Sequence, residues 1–268
     1  CEAGSEAFEQ CSRDGLKVQA LRCGARVDLR AAREIRAAVK RFAPDIIHAF
    51  TGRTLTCALL GTFWSKIPLV AYRGTMGNVH VWDPSAWMSF LHPRVRRISC
   101  VSEAVRQDLL SVRPEPETLV TIHKGHDPEW YRATTPIDLT TVGVPPGSRV
   151  LVSVANFRAL KGTDVIIRAL ALLPSDVHLV LVGDVRDEKL LPLTGHLKLT
   201  SRVHFTGERK DAIRFSAAAD LFVMASLRRE GFPKAVIEAM SLGIVPVVSA
   251  VGGMVEQVED GVSGAVVA

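Results

Sequence analysis

Apolar residues recur along the chain in two rhythms that alternate with one another. The stretch LRAAREIRAAVKRF (29–42) sets its apolar residues at helical spacing with a basic outer face, and Pro44 follows it. That spacing predicts an amphipathic helix ending before the proline. Next come DIIHAF (45–50), PLVAYRG (68–74) and RISCVS (97–102), short continuous apolar runs separated by helical segments such as EAVRQDLLSV (103–112). Runs of that kind between helices predict the strands of a parallel sheet covered on both faces. The stretch TPIDLTTVGVPPGSR (135–149) loses the periodicity and gains proline and glycine, so a boundary is expected there, with domains of 1–145 and 146–268.

The alternation then resumes with VLVSVA (150–155), VHLVLVG (177–183), RVHFTG (202–207), DLFVMAS (220–226) and VPVVSA (245–250), and GAVV near the end reads as one more strand. Each run closes on small or polar residues: Asn156 with Arg158, Gly183 with Asp184, Gly207 with Glu208, Ser226 before Glu230, Ser249 before Gly252. Open parallel sheets bind ligands beyond the carboxyl ends of their strands, so these residues are expected to converge on one site.

REGFPKAVIEAM (229–240) brings two carboxylates to that site. Glu238 is set among Ala235, Val236, Ile237, Ala239 and Met240, and a carboxylate in apolar surroundings needs a partner. Lys234, four residues earlier, would supply one along the helix surface. A vicinal diol such as a ribose is the other candidate, since an ionised carboxylate accepts two hydrogen bonds. Pro233 is expected as the first helical residue, with Glu230 near the helix entrance. Eight helical residues span about 12 Å, a separation suited to the two ends of one extended ligand. Gly252 and Gly253 fall between a strand and a helix expected to run on toward Glu259, where backbone amides bind phosphate. ANFRALKGT (155–163) sets Arg158 and Lys161 just beyond another strand, two cations suited to a diphosphate.

In this order ANFRALKG, VLVGD, VHFTGE, LFVMAS, REGFPKAVIEAM and PVVSAVGGMVEQVEDGVSG resemble the carboxyl-terminal domain of the retaining glycosyltransferases of family 4. PDIIHAF, PLVAYRGTMG and RRISCVSEAVRQDLL extend the resemblance over nearly the whole chain. It implies an α/β protein of the GT-B fold, with two Rossmann-like doubly wound domains facing a cleft: an acceptor-side domain (1–145) and a nucleotide-sugar-binding domain (146–268). The implied reaction moves a sugar, with retention, from a UDP-, GDP- or ADP-sugar to a glycan, lipid-linked or small-molecule acceptor.

By position, the resemblance puts Glu230 near the donor sugar with the amides of Gly231 and Phe232, Lys161 on the diphosphate, and Glu238 on the ribose hydroxyls. Gly252, Gly253 and Glu256 lie beneath the donor, with helix capping as the other reading of Glu256. Where many members have Gly-Arg before the lysine loop, this chain has Ala155-Asn156, which leaves Asn156 on the donor and Arg158 to supply the guanidinium. Where many have Thr-x-His-Gly, this chain has Tyr72-Arg73-Gly74, with His48 and His80 as substitutes for the histidine. The chain's start resembles the segment after the family's first strand, and its end lacks the family's terminal helices, so truncation at both ends is expected. Another GT-B enzyme, inverting or phosphorylase-like, and a noncatalytic nucleotide-binding module remain the alternatives.

Composition narrows the chemistry further. The 268 residues are 47% hydrophobic, enough for two cores. The net charge of +5 arises mostly before Pro146 and fits anionic ligands or peripheral contact with an acidic membrane surface, without the dense basic runs of a nucleic-acid binder. DVRD (184–187) stands in place of a metal-holding Asp-x-Asp, so no metal and no further cofactor is expected. There is no GxGxxG after a first strand and no Walker A sequence, which argues against a dehydrogenase or an NTPase. Cys1, Cys11, Cys23, Cys57 and Cys100 are odd in number and lack CxxC spacing, which predicts reduced thiols. CEAGSEAFEQ is not a signal peptide and no apolar run approaches about 18 residues, so a cytoplasmic place is expected, with peripheral contact at the inner face of the membrane.

Overall fold

The computed structural model describes residues 4–113 and 115–268. The chain divides into two compact units, Cys1–Cys100 with Arg106–Ile122, and Val101–Val105 with His123–Ala268.

In the first unit, helices α1 (Glu6–Arg13) and α2 (Leu29–Phe42) precede β1 (Ile47–Ala49), α3 (Gly52–Gly61), β2 (Leu69–Arg73), α4 (Pro84–Trp87), β3 (Val95–Cys100) and β4 (Leu119–Thr121), while the first turn of α5 (Glu103–Leu110) belongs to the second unit's Val101–Val105 segment. The sequence-expected helix α2 begins where Asp28 accepts a hydrogen bond from the Ala31 amide at 3.0 Å, and it ends at Ala43 in the left-handed region, one residue before Pro44. It buries Ala31 and Ala32. The four strands are parallel in the order β1-β2-β3-β4, and Leu55, Leu69, Ala71, Ile98 and Cys100 are wholly buried about them.

The second unit runs β5 (Arg149–Val154), α6 (Thr163–Leu170), β6 (Val177–Val182), α7 (Leu190–His196), β7 (Val203–Gly207), α8 (Ala212–Ala217), β8 (Leu221–Met224), α9 (Lys234–Ser241), β9 (Val245–Ser249), α10 (Met254–Gln257) and β10 (Ala265–Val267). Its strands are all parallel, in the order β10-β9-β8-β5-β6-β7. Along β6, Val180 and Val182 join one core with Phe215, Phe222 and Val236, while Leu179 and Leu181 join another with Phe157, Ile167 and Leu190. Period-two alternation into two apolar cores is why VHLVLV is apolar throughout. The chain leaves β5 toward β6 on one side and returns at β8 on the other. The loops after β5 and β8 therefore part at this point, where doubly wound sheets hold their ligands.

The boundary falls at Ile122/His123 rather than at 145/146. Ile137, Leu139, Val142 and Val144 pack into the core containing Phe222, and the Ile137 amide donates to the Arg214 carbonyl at 3.2 Å. The apparent linker is an irregular strap whose apolar residues follow their neighbours instead of a period. Three local features also differ from expectation: β4 is a strand the pattern does not announce, Pro233 caps α9 from outside it, and α10 ends at Gln257. Cys11, Cys23, Cys57 and Cys100 form no disulfides, and Cys1 lies outside the described residues. Among the described residues no helix is long and apolar enough to cross a membrane.

Candidate functional site

The site grows from the two loops that diverge at the switch point. After β5 the chain turns at Phe157, which is wholly buried and whose amide donates to the Asp184 carbonyl at 2.8 Å. A single 3-10 turn, Ala159–Lys161, then delivers Lys161 and leads into Gly162 at φ 58°. A Cβ at Gly162 would lie 2.0 Å from the Ala225 carbonyl oxygen, and the Leu227 amide donates to the Leu160 carbonyl at 2.9 Å. The loops after β5 and β8 are thus laced backbone to backbone.

That lacing sets Lys161 against Glu230. The Lys161 ammonium donates to Glu230 Oε1, and the Ser226 hydroxyl donates to the same oxygen at 2.7 Å. Ser226 is fully buried, and the side chains of Lys161 and Glu230 are only 19% and 11% exposed, so each charge depends on the other for compensation. The turn that aims Glu230 inward carries local strain, since Arg229 holds φ 65°, an uncommon conformation for a residue with a Cβ. On the far side, the Gly253 amide donates to the Glu230 carbonyl at 3.3 Å, and a Cβ there would stand 1.8 Å from the Gly231 oxygen. Only glycine permits that approach.

Glu238 projects from α9 and pairs with Lys234 at 2.8 Å. The lysine side chain is 62% exposed and the glutamate 19%, so the pair is a surface arm laid over a mostly covered carboxylate. Tyr131 and His126 face it, with the tyrosine hydroxyl 2.6 Å from His126 Nδ1. Burial raises the Tyr131 pKa, and nearby Glu238 raises it further. Burial lowers that of His126, with Lys234 adding to the effect.

Two residues next to these, Lys124 and His123, are not among those the sequence singles out. Lys124 donates to the Phe232 carbonyl at 3.1 Å, and its pKa falls through burial and Lys234 while Glu230 opposes the fall. His123 stacks on Phe232 with centroids 4.8 Å apart, and its Nε2 lies 2.9 Å from Glu256. Glu256 also accepts from the amides of Glu103 and Ala104 at 2.7 and 2.8 Å, so it caps the first turn of α5. A signal for His123 and Lys124 exists in the polar run HKGHD, which follows β4, at the kind of strand end where ligand residues gather.

The structure therefore brings Glu230 and Lys161 together, sets Gly231, Phe232 and Gly253 around them, and leaves Asn156 and Arg158 exposed beyond β5. Arg158 makes no side-chain ion pair among the described residues, and Gly252 holds φ 57° in the turn before Gly253. In the first unit His48 packs against Phe50 with the rings tilted by 33°, and His80 stacks on Trp82. Among the described residues no three His, Cys, Asp or Glu side chains gather in a way that could hold a metal ion.

Residues 138–268 match the family model for glycosyl transferases group 1, and residues 2–130 match that for glycosyltransferase family 4. The D-inositol 3-phosphate glycosyltransferase of Mycolicibacterium gilvum is 34% identical over 184 residues, 64% of this chain and 40% of that protein. Its counterpart from Mycolicibacterium vanbaalenii is 30% identical over 255 residues, 83% of this chain and 56% of that protein. The matched region thus spans about two fifths to somewhat over half of these relatives. Among solved structures, Anabaena HepE in complex with UDP is similar with a TM-score of 0.81 at 24% identity, covering 96% of this chain and 74% of that one. A glycosyltransferase from Rickettsia africae has a TM-score of 0.84 at 18% identity, covering 98% and 73%. Matched in one half by the group 1 model and in the other by the family 4 model, and built from two parallel α/β units, the chain belongs to the family 4 type of glycosyltransferase and has the GT-B fold.

Proposed function

We propose that the second unit binds a nucleotide-sugar beyond the carboxyl ends of β5 and β8, and that the protein transfers the sugar, with retention of configuration, to a glycan, lipid-linked or small-molecule acceptor. The observation that carries this reading is the Lys161–Glu230 pair at the switch point, backed by Ser226 and flanked by Arg158. An ammonium has three donors, so one held by Glu230 leaves two to turn toward a diphosphate. Lys161 and Arg158 would then stabilise the charge that develops on the departing nucleotide, the part played elsewhere by a divalent metal. Glu230 acts by positioning Lys161.

Glu238 is the ribose acceptor in this reading. A helical i,i+4 ion pair is worth about 0.3–0.5 kcal/mol, so a diol making two charge-assisted bonds displaces Lys234 at little cost. UDP is the first nucleotide to test, because HepE was solved with UDP and with UDP-glucose.

The direct experiment is a thermal-shift comparison of UDP-, GDP- and ADP-glucose. A ligand at 100 times its Kd adds about 2.7 kcal/mol of stability, enough to raise the melting temperature measurably. Silence from all three at millimolar concentration would remove the donor-site assignment. Retention is tested separately, by the anomeric configuration of the product.

A further inference from the structure

Lys124 is left over when the charges around the Lys161–Glu230 pair are matched. Three ammonium groups of the second unit, Lys124, Lys161 and Lys234, stand near two carboxylates, Glu230 and Glu238. Lys161 holds Glu230 and Lys234 holds Glu238, so both carboxylates are taken. Lys124 makes no ion pair among the described residues, although Glu230 lies near enough to favour its charge. Its neighbour His126 brings no anion, and burial, with Lys234 and Lys124 adding to the effect, holds that ring toward its neutral form.

The lysine is nonetheless only half-exposed. Its Nζ donates to the Phe232 carbonyl at 3.1 Å, which uses one of three donors. Burial lowers its pKa, Glu230 opposes the fall and Lys234 adds to it, so a cation stands where its charge is disfavoured. A half-buried charge without a counter-ion is costly unless an anion completes its surroundings.

We propose that Lys124 is a second cation on the donor diphosphate, bound to the phosphate that carries the sugar, an assignment that rests on the donor site described above. Lys161 comes from the loop after β5 and Lys124 from the loop after β4, and both lie beside Glu230 and the loop that follows it. Two ammonium groups beside one carboxylate leave unused donors for the paired oxygens of a phosphate. The ribose end of the donor belongs to Glu238, a further eight residues along the chain, so the phosphate at Glu230 is the one remote from the ribose. In transfer, the bond between the anomeric carbon and an oxygen of that phosphate breaks and the electron pair stays on the oxygen. The acceptor hydroxyl oxygen bonds to the carbon, and its proton passes to the released diphosphate. A poorly solvated ammonium stabilises the growing phosphate charge more strongly than the exposed Arg158 can.

The test is calorimetric titration of the whole chain with UDP, GDP and ADP and with the matching monophosphates, repeated on Lys124→Gln and Lys124→Arg. Glutamine can still donate to the Phe232 carbonyl but carries no charge, so a lysine that merely anchors the loop would be replaced without loss. Lys124→Gln should weaken the diphosphate that binds by about tenfold to 100-fold, the loss of one charge-assisted hydrogen bond, and leave the monophosphate nearly unchanged. Lys124→Arg should recover most of the lost affinity. Hydrogen exchange over residues 229–240 should be the same in Lys124→Gln as in the unaltered chain.

Unchanged diphosphate affinity in Lys124→Gln, an equal loss for the monophosphate, or faster exchange over 229–240 in that variant overturns the role of Lys124 and leaves the donor site standing. Failure of the unaltered chain to bind any of the three diphosphates removes the donor site, and the role of Lys124 with it.

Discussion

Removing one member of the Lys161–Glu230 pair should cost more than half of what removing both costs. Glu230→Gln strips the charge from a carboxylate 11% exposed and leaves an ammonium 19% exposed beside Ser226. Breaking a buried pair in this way costs about 3–5 kcal/mol, and the residual exposure lowers the expectation to about 2–4 kcal/mol. Lys161→Met leaves the opposite charge behind at a similar cost, eased by the Ser226 hydrogen bond. The double substitution leaves no uncompensated charge, so its effect should fall about 2 kcal/mol short of the sum of the two. A single melting temperature is ambiguous for a chain of two units, so the assay is hydrogen exchange read by mass spectrometry over residues 221–241. Each single variant should speed exchange there by about 30-fold to 1,000-fold, with the double far below the product of the two factors. Losses that add to within about 0.5 kcal/mol would show that the two groups do not interact, and the site would lose its centre.

Other outcomes rest on the same geometry. Glu238→Gln should lower nucleotide affinity by about tenfold or more while leaving the unfolding transition within about 0.5 kcal/mol, since the Lys234 pair it removes is a weak surface one; unchanged affinity in the folded variant refutes the ribose role. Transferase activity should survive EDTA, and strict dependence on added manganese or magnesium would overturn the role given to Lys161 and Arg158. His178 and His204 lie 3.0 Å apart on β6 and β7, and burial holds both pKa values below the ordinary 6.5. Depressed values mean that the unfolded chain binds more protons, so the stability they contribute is complete above pH 6.5 and declines as pH falls through the lower folded values; His178→Gln should flatten the fall in melting temperature between pH 7 and pH 5.

What the chain discloses in advance is what its local chemistry controls. Helix α2 is legible because its apolar spacing, the Asp28 cap and Pro44 all lie within a few residues of one another. Strand β6 is legible because both of its faces are buried, which makes the run continuously apolar. The strap at 135–149 is not, since Ile137 and Val144 are placed by Phe215 and Phe222, which lie far along the chain. Glu230 and Lys161 can each be assigned to strand ends, but the bond between them spans 69 residues and depends on β5 and β8 being neighbours. His123 and Lys124 come after a strand of three residues, too short to announce itself by pattern, and the ring that His123 stacks on is supplied by the distant Phe232.

The close approach of Gly162 to Ala225 and of Gly253 to Gly231 has an engineering consequence. Both crossings are main chain against main chain, so no side chain can be introduced at either without prying the loops apart and disturbing Lys161 and Glu230 together. If the donor binds as proposed, changes meant to alter which donor is chosen are better made at the exposed residues Asn156, Arg158, Arg228 and Arg229. A library randomised at those four positions should retain folded protein in most of its members, whereas one that includes the two glycines should lose it. The exposed ends of these loops can be varied, and the crossing beneath them is fixed.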